Sequence, residues 1–416
     1  MQTEGIKISA RIAKALSIAL LISQPVFAGE PVLHLPLQSY AGNTEPISFM
    51  RPFYVVHEEQ GVKMAGLTTP PSSAFTPSQI RHAYGFDQVT NQGAGQIIGI
   101  VDAYDDPSAE ADLGVFSSQF KLPACTTANG CFHKVYSNGR QPAGNANWAV
   151  EIALDIEWAH AIAPQATILL VEAPSNSLSD LLNAVGVAVR NGASVVSMSW
   201  TVGEFSSEGN YDNNFVTSGV TFVAASGDTG YGMAYPAASP DVIGAGGTTL
   251  TLNLSGSYQS ETAWVGSGGG ISAYEHEPSF QAQFGIPYDP RGLRGAPDVS
   301  YNANPGTGYA VYDSVKISGA SGWFQVGGTS AASPQWAGLI AIANSMRVAA
   351  RKARLSSTNT SLYSLAKTKM ATDFHAVTQG ENGGCGVWCD ASTGYNYVTG
   401  LGTPQASALI NALAAQ

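Results

Sequence analysis

The sequence predicts an α/β protein of three layers, with a mostly parallel central sheet covered by helices on both faces. Three observations carry that expectation. Along the middle of the chain, apolar runs of strand length alternate with longer segments of helical pattern. These strands read as continuous apolar runs rather than as alternating ones, which is the pattern of a parallel sheet buried on both sides. The chain is also large enough for one extensive core, with 416 residues, 44% hydrophobic and only 12% charged.

Taken in order, the first segment is not part of that core. Lys7, Arg11 and Lys14 precede the apolar run "ALSIALLIS" at 15–23, which is followed by "QPVFA" and Gly29. A basic region, a short apolar core and a terminal small residue describe a secretory signal over 1–28, cut after Ala28. The apolar core is too short to span a bilayer. Residues 29–66 show little periodicity, and "LTTPPSSAFTPSQIRHAYGF" is Pro- and Ser-rich and reads as a linker. The expected division is therefore a signal at 1–28, a short pro-segment or linker at 29–75, and one domain over 76–416.

Within that domain "QIIGIVDAY" is a strand ending near Asp102, and "AEADLGVFSSQF" is helical. "NWAVEIALDIEWAHAIA" is a strong helix, "ATILLVEA" a strand and "SLSDLLNAVGVAVRNG" a helix. "SVVSMSW" and "VTFVAASGD" are two more strands. A helix after Ser330 closes the series.

The formal charge of −11 argues against nucleic acid or an anionic membrane as partner. The signal predicts a secreted or periplasmic protein, with no membrane association after cleavage, and a monomer is expected. The four cysteines fall into two close pairs in Gly/Asn-rich loops, "ACTTANGCF" and "GGCGVWCD". In an exported protein these read as local disulfides, Cys125–Cys131 and Cys385–Cys389, rather than as a four-thiolate zinc site.

Residues with chemical potential cluster in three places. Ser330 lies on a glycine turn, "QVGGTSAASP", at the start of an apolar helix. Such a corner suits a nucleophile, or simply a serine cap. Glu151 and Asp155 stand one turn apart on one face of "AVEIALDIEWA", among Val150, Ile152, Leu154 and Ile156. Acids on so apolar a helix are costly unless they share a proton or find partners. Asp228 ends an apolar strand in "FVAASGDTGYG", at the carboxyl end of the sheet where α/β proteins place their sites. The seven histidines, His160 among them, read as scattered surface residues, and none stands in the setting of a catalytic base.

Together these segments resemble the sedolisin family, the serine-carboxyl peptidases of subtilisin-like fold. The nucleophile motif is matched by Gly328, Thr329, Ser330 and Pro334, the helix with Glu and Asp four apart by Glu151 and Asp155, and the Ser-Gly-Asp turn by Ser226, Gly227 and Asp228. "SVVSMSW" looks like the strand bordering the substrate, with Ser197, Ser199 and Trp200 as substrate-binding candidates. "GAPDVSYNANPGTGYAVYD" and "TGLGTP" also fit, so the resemblance runs from about residue 76 to the C-terminus. It implies hydrolysis of polypeptides at acidic pH, with Ser330 as nucleophile, Glu151 as general base, Asp155 orienting Glu151 and Asp228 as oxyanion donor.

The sequence departs from the family pattern twice. The segment 29–75 is too short for the long folded propeptide usual in sedolisins. The family's calcium site near the C-terminus uses an Asp-Ile or Asp-Val pair and a later Gly-Trp-Asp segment. Here the matching stretches read "FHAVTQG" and "STGYNYVTG", so Ala376 and Asn396 replace the two acids. The carbonyls of Val377, Ser392 and Gly394 remain, and no cofactor or metal is expected. Three other readings stay open: an inactive binding protein on the same scaffold, a tripeptidyl-peptidase, and a triad using Asp102 with a histidine. A glycosidase would need its acids across a cleft rather than on one helical turn.

Overall fold

In the computed structural model the described residues are 67–287, 289 and 291–416, together with the backbone of two short strands, β1 (Arg51–Pro52) and β2 (Val55–Val56). The signal-like segment 1–28 lies outside them.

The Pro/Ser-rich stretch is a linker only as far as Phe75. Thr76 then caps α1 (Pro77–Tyr84), exchanging hydrogen bonds with Gln79, with Pro77 in the first turn where its missing N–H costs nothing. There follow β3 (Ile97–Ala103), α2 (Ala109–Phe120), β4 (Phe132–Tyr136), α3 (Ala146–Ile162), β5 (Thr167–Ala173) and α4 (Leu178–Arg190). The expected single strand at 194–200 is broken into β6 (Val195–Met198) and β7 (Trp200–Gly203), which join different sheets across Ser199. Next come β8 (Thr221–Ala225), β9 (Ala234–Tyr235), β10 (Ile243–Leu252), β11 (Tyr258–Ala263), β12 (Gly270–His276), α5 (Ser279–Phe284), β13 (Leu293–Ala296) and β14 (Val299–Asn302). The chain ends with β15 (Tyr309–Ile317), β16 (Ala320–Gly327), α6 (Ala332–Ala349), α7 (Thr358–Asp373), β17 (Phe374–His375), β18 (Thr403–Pro404) and α8 (Ala406–Ala415).

The central sheet runs β11-β10-β8-β6-β3-β5-β4, with β14 also on β10. Every pairing in it is parallel except β10 with β11. This is the subtilisin-like three-layer arrangement expected from the sequence. Side-chain parity divides its two faces. Ile98, Ile100, Ile168, Leu170, Val195 and Val223 share one core with α3 and α6. Val101, Leu169, Val171, Val196, Met198 and Phe222 share another with α4. Asp102 has the parity of Ile98 and Ile100, so it belongs to the face covered by α3. On the opposite face a Cβ at Gly99 would stand only 3.0 Å from that of Ala188, which lets α4 pack close.

The core's polar groups are handled locally. The indole N–H groups of Trp158, Trp200 and Trp336 donate to the carbonyls of Ala310, Val101 and Ser300 at 2.8–3.0 Å. Both disulfides, Cys125–Cys131 and Cys385–Cys389, are formed. Behind the sheet lies a fully buried ion pair. Arg294 grips Asp298 with two N–H groups, at 2.9 and 2.5 Å, while Asp298 also accepts from Gly244 N and Tyr363 Oη.

Truncating one partner of such a pair leaves a charge buried without compensation, at a cost of about 3–5 kcal/mol. Asp298→Ala should therefore lower the denaturation midpoint sharply, more than Tyr363→Phe, which removes only one donor. Equal midpoints for Asp298→Ala and the unaltered protein would contradict the pair's role.

Candidate active site

The site forms where β3, β6 and β8 end, at the carboxyl edge of the sheet, and where α3 and the start of α6 cross it. The break between β6 and β7 is its hinge point. Ser199, in that break, donates to Asp155 Oδ1 at 2.9 Å and lies 3.2 Å from the carbonyl of Ser330. The Ser330 hydroxyl donates in turn to the Ser199 carbonyl at 3.4 Å, a long bond that holds the side chain weakly. Ser197 takes the next position on the same face and bonds Ser333 on α6 at 2.8 Å. The side chains of Ser197, Ser199 and Trp200 are all fully buried and occupied by internal bonds. What this segment leaves for an outside chain is backbone. At Trp200 and Thr201 it already carries an antiparallel strand, β1.

The corner that carries Ser330 begins at Gly328, whose φ of 120° excludes other residues without strain. A single turn, Thr329–Ala331, leads into α6 and sets Ser330 at the positive end of that helix. Thr329 ties this corner to the turn after β8. Its N–H and its hydroxyl both donate to Asp228 Oδ1 at 2.7 Å, and the hydroxyl accepts from Gly227 N at 3.0 Å. Gly227 has φ 109°, and Gly268 approaches the Ser226 carbonyl so closely that a Cβ there would overlap it. Both turns thus depend on glycine. With Oδ1 occupied by two donors, Asp228 Oδ2 is left without a protein partner.

Glu151 and Asp155 lie on α3, whose first turn is capped by Asn145 accepting from Asn147 N and Trp148 N. Both are fully buried. Asp102 is buried beside them, and its charge acts on both. Five carboxylate oxygens of this trio have no hydrogen-bond partner: both of Glu151, both of Asp102 and Oδ2 of Asp155. Burial raises all three pKa values. Asp102 is pushed up to about 8. Glu151 and Asp155 lie well above the usual carboxylate range, first through burial and then through the charge of Asp102. The Ser330 hydroxyl draws Glu151 back down, and the Ser199 hydroxyl does the same for Asp155. Burial pushes Asp228 up to about 7 against the two bonds from Thr329.

The sequence pointed to all four principal residues, and the fold brings them together. It weighed Asp102 only as part of a histidine triad. Strand parity is the signal that places it under α3. Thr329 was read as motif, not as the group that fixes Asp228. His160 is not on the surface: it is fully buried, its Nε2 2.8 Å from the Pro123 carbonyl, and desolvation lowers its pKa. With Cys125 and Cys131 it forms the one group of three potential soft metal ligands among the described residues, but both sulfurs are bonded to each other.

The comparisons with known proteins bear on the fold and the family. The subtilase family profile matches residues 143–384. Kumamolisin from Bacillus sp. (strain MN-32) is 33% identical over 410 residues, spanning 89% of this chain and 69% of that protein. Sedolisin from Pseudomonas sp. (strain 101) is 30% identical over 347 residues, covering 74% of this chain and 56% of sedolisin. The tripeptidyl-peptidase sed4 of Aspergillus fumigatus is 30% identical over 236 residues, 45% of this chain and 36% of that one. The solved structure of Pseudomonas sedolisin, complexed with two molecules of pseudo-iodotyrostatin, superposes with a TM-score of 0.70 at 27% identity, over 84% of this chain and all of that one. By profile, relatives and fold alike, the chain belongs to the subtilase family of serine-type peptidases, on its sedolisin branch.

Proposed function

We propose that the chain is an exported acid endopeptidase in which Ser330 attacks the peptide carbonyl and Glu151 takes its proton. The observation that supports this most strongly is the buried, cation-free acid trio beneath a weakly held serine hydroxyl. Three carboxylates so close and so desolvated cannot all ionise. A base at Glu151 requires the protons of the trio to rest on Asp102 and Asp155: burial pushes Asp102 up to about 8, which keeps it neutral in acid, and the Ser330 hydroxyl draws charge toward Glu151. Protonated Asp155 holds that arrangement through Ser199, which also reaches the backbone of Ser330. Asp228 keeps its proton on the unpartnered Oδ2 and through it donates a hydrogen bond to the oxyanion as the tetrahedral intermediate forms. The intermediate collapses by breaking the C–N bond as Glu151 passes its proton to the leaving amine, and water then hydrolyses the acyl-enzyme with Glu151 as base again.

The substrate strand fits on the edge that β1 occupies. β1 pairs with Trp200 and Thr201, just past Ser199, and β2 pairs with Val326 and Gly327, just before the nucleophile corner. In this reading residues 29–75 are a short pro-segment whose strands cross the site, removed by the enzyme's own Ser330. Acid incubation of the full chain followed by mass mapping should show a new N-terminus between residues 52 and 76 in the unaltered protein and not in Ser330→Ala. The same new terminus in Ser330→Ala treated alone would remove self-cleavage.

Ser330→Ala, Glu151→Gln and Asp228→Asn should each cut peptide hydrolysis by at least about a hundredfold while the fold persists. Substantial activity in Ser330→Ala would end the nucleophile assignment. Product lengths from an unbiased peptide mixture separate internal cleavage from stepwise release of tripeptides, the activity in the name of sed4.

The pH dependence follows with a definite sign. Asp228 loses its proton near neutrality, so activity should be highest in acid and fall toward pH 7 or so. Stability should move the same way. Between the ordinary carboxylate pKa and the raised native one, the folded protein binds more protons than the unfolded chain, so raising the pH destabilises it. Melting temperature should drop from mildly acidic to mildly alkaline buffer, and Asp102→Asn should flatten the slope. A melting temperature that rises over this interval would contradict the burial of neutral acids.

A further inference from the structure

The C-terminal loops contain the stretches in which the sedolisin resemblance implies calcium, and their residues do not fit that ion. Ala376 supplies no side-chain oxygen and is exposed. Two carbonyls that would be left to ligate, those of Val377 and Ser392, already accept hydrogen bonds. The donor to both is one atom, Asn396 Nδ2, at 3.3 and 3.2 Å.

The other end of the same amide is equally committed. Asn396 Oδ1 accepts from Val398 N at 3.1 Å, Thr399 N at 2.9 Å and Thr399 Oγ1 at 3.1 Å. Donors surround the oxygen and acceptors surround the nitrogen, so only one orientation of the amide satisfies both ends. Asn396 is 2% exposed and next to the small apolar cluster of Ala263, Val377 and Val398. Its backbone exchanges hydrogen bonds with Gly400, closing the loop. From there Leu401 N donates to the Asp298 carbonyl and Ser300 N to that of Gly402, which ties the loop to β14.

We propose that the Asn396 amide is a built-in replacement for a bound cation: its N–H groups gather the carbonyls of Val377 and Ser392 as a calcium ion would, making this loop calcium-independent. The substitution is also a latent switch. An aspartate in the same place would turn an oxygen toward two carbonyl oxygens, an arrangement that only a cation between them stabilises. Asn396→Asp should therefore lose stability in chelator and regain it with calcium. Asn396→Ala removes the donor and the acceptor without making a cation ligand, so it should lose stability that calcium does not restore.

The experiment is thermal melting of the full chain at mildly acidic pH, with EDTA or millimolar calcium chloride. Ser330→Ala is carried throughout, so self-digestion does not enter. The Asn396 protein should melt at the same temperature in both buffers. Asn396→Asp should fall by about 5 °C or more in EDTA and rise again with calcium, and calorimetric titration should show calcium binding to that variant alone. The proposal is overturned if the Asn396 protein itself gains about 10 °C with calcium, which would mean that Asp373, Asp390 or Glu381 rebuilds a site. It is overturned equally if Asn396→Ala and Asn396→Asp both melt with the Asn396 protein in EDTA. Should Asn396→Ala fail to accumulate, the Asn396→Asp comparison with and without calcium decides alone: a calcium-dependent rescue supports the proposal and its absence refutes it.

Discussion

The desolvation of carboxyl groups under α3 is the constraint on which this structure turns. Among the described residues, no cation pairs with Asp102, Glu151 or Asp155; the ion pairs found there belong to His82, Lys134 and Arg294. Protons must therefore do what cations do elsewhere. That condition needs a dry environment, which the α3–α6 layer and the apolar parity of β3, β6 and β8 supply. It also needs hydrogen-bond donors in few and definite positions. Ser199 serves Asp155, Thr329 serves Asp228, and Glu151 has only the nearby Ser330 hydroxyl.

The same chain solves a like problem in the opposite way at Asp298. There the buried carboxylate receives a guanidinium, a backbone N–H and a tyrosine hydroxyl, so both oxygens are occupied. A group with every lone pair committed can only be structural. The contrast separates chemistry from architecture more sharply than burial does, because Glu151 and Asp298 are equally inaccessible to solvent.

Much of this was legible in the sequence, and for identifiable reasons. The parallel strands declare themselves because burial on both faces demands unbroken apolar runs. Glu151 and Asp155 stand out because charge on an apolar helix is expensive. What the sequence hid depends on pairing at a distance. The break at Ser199 is invisible in "SVVSMSW", since each half is apolar and only the choice of partner sheet divides them. His160 looks like any helical histidine until the Pro123 carbonyl is brought to it. Arg294 gives no signal in the sequence because its partner, four residues on, matters only once both are enclosed. Asn396 marks a missing acid in the sequence, but its reach to carbonyls at 377 and 392 exists only in the folded loop.

The two short strands at the start of the described chain have a consequence for the order of synthesis. β2 finds its partner in β16, which follows every strand of the central sheet in the chain, and only Gly328 and Thr329 separate the paired Gly327 from Ser330. During translation β1 can pair as soon as β7 emerges, but the two residues of β2 must wait, unpaired, until every strand of the central sheet has been made. The strand that receives them emerges immediately before the serine itself. Little of the chain's growth therefore separates the Gly328–Ser330 corner from the strand that receives β2. The topology thereby ties the pairing of β2 to the moment at which that serine appears, through connectivity rather than through any single contact.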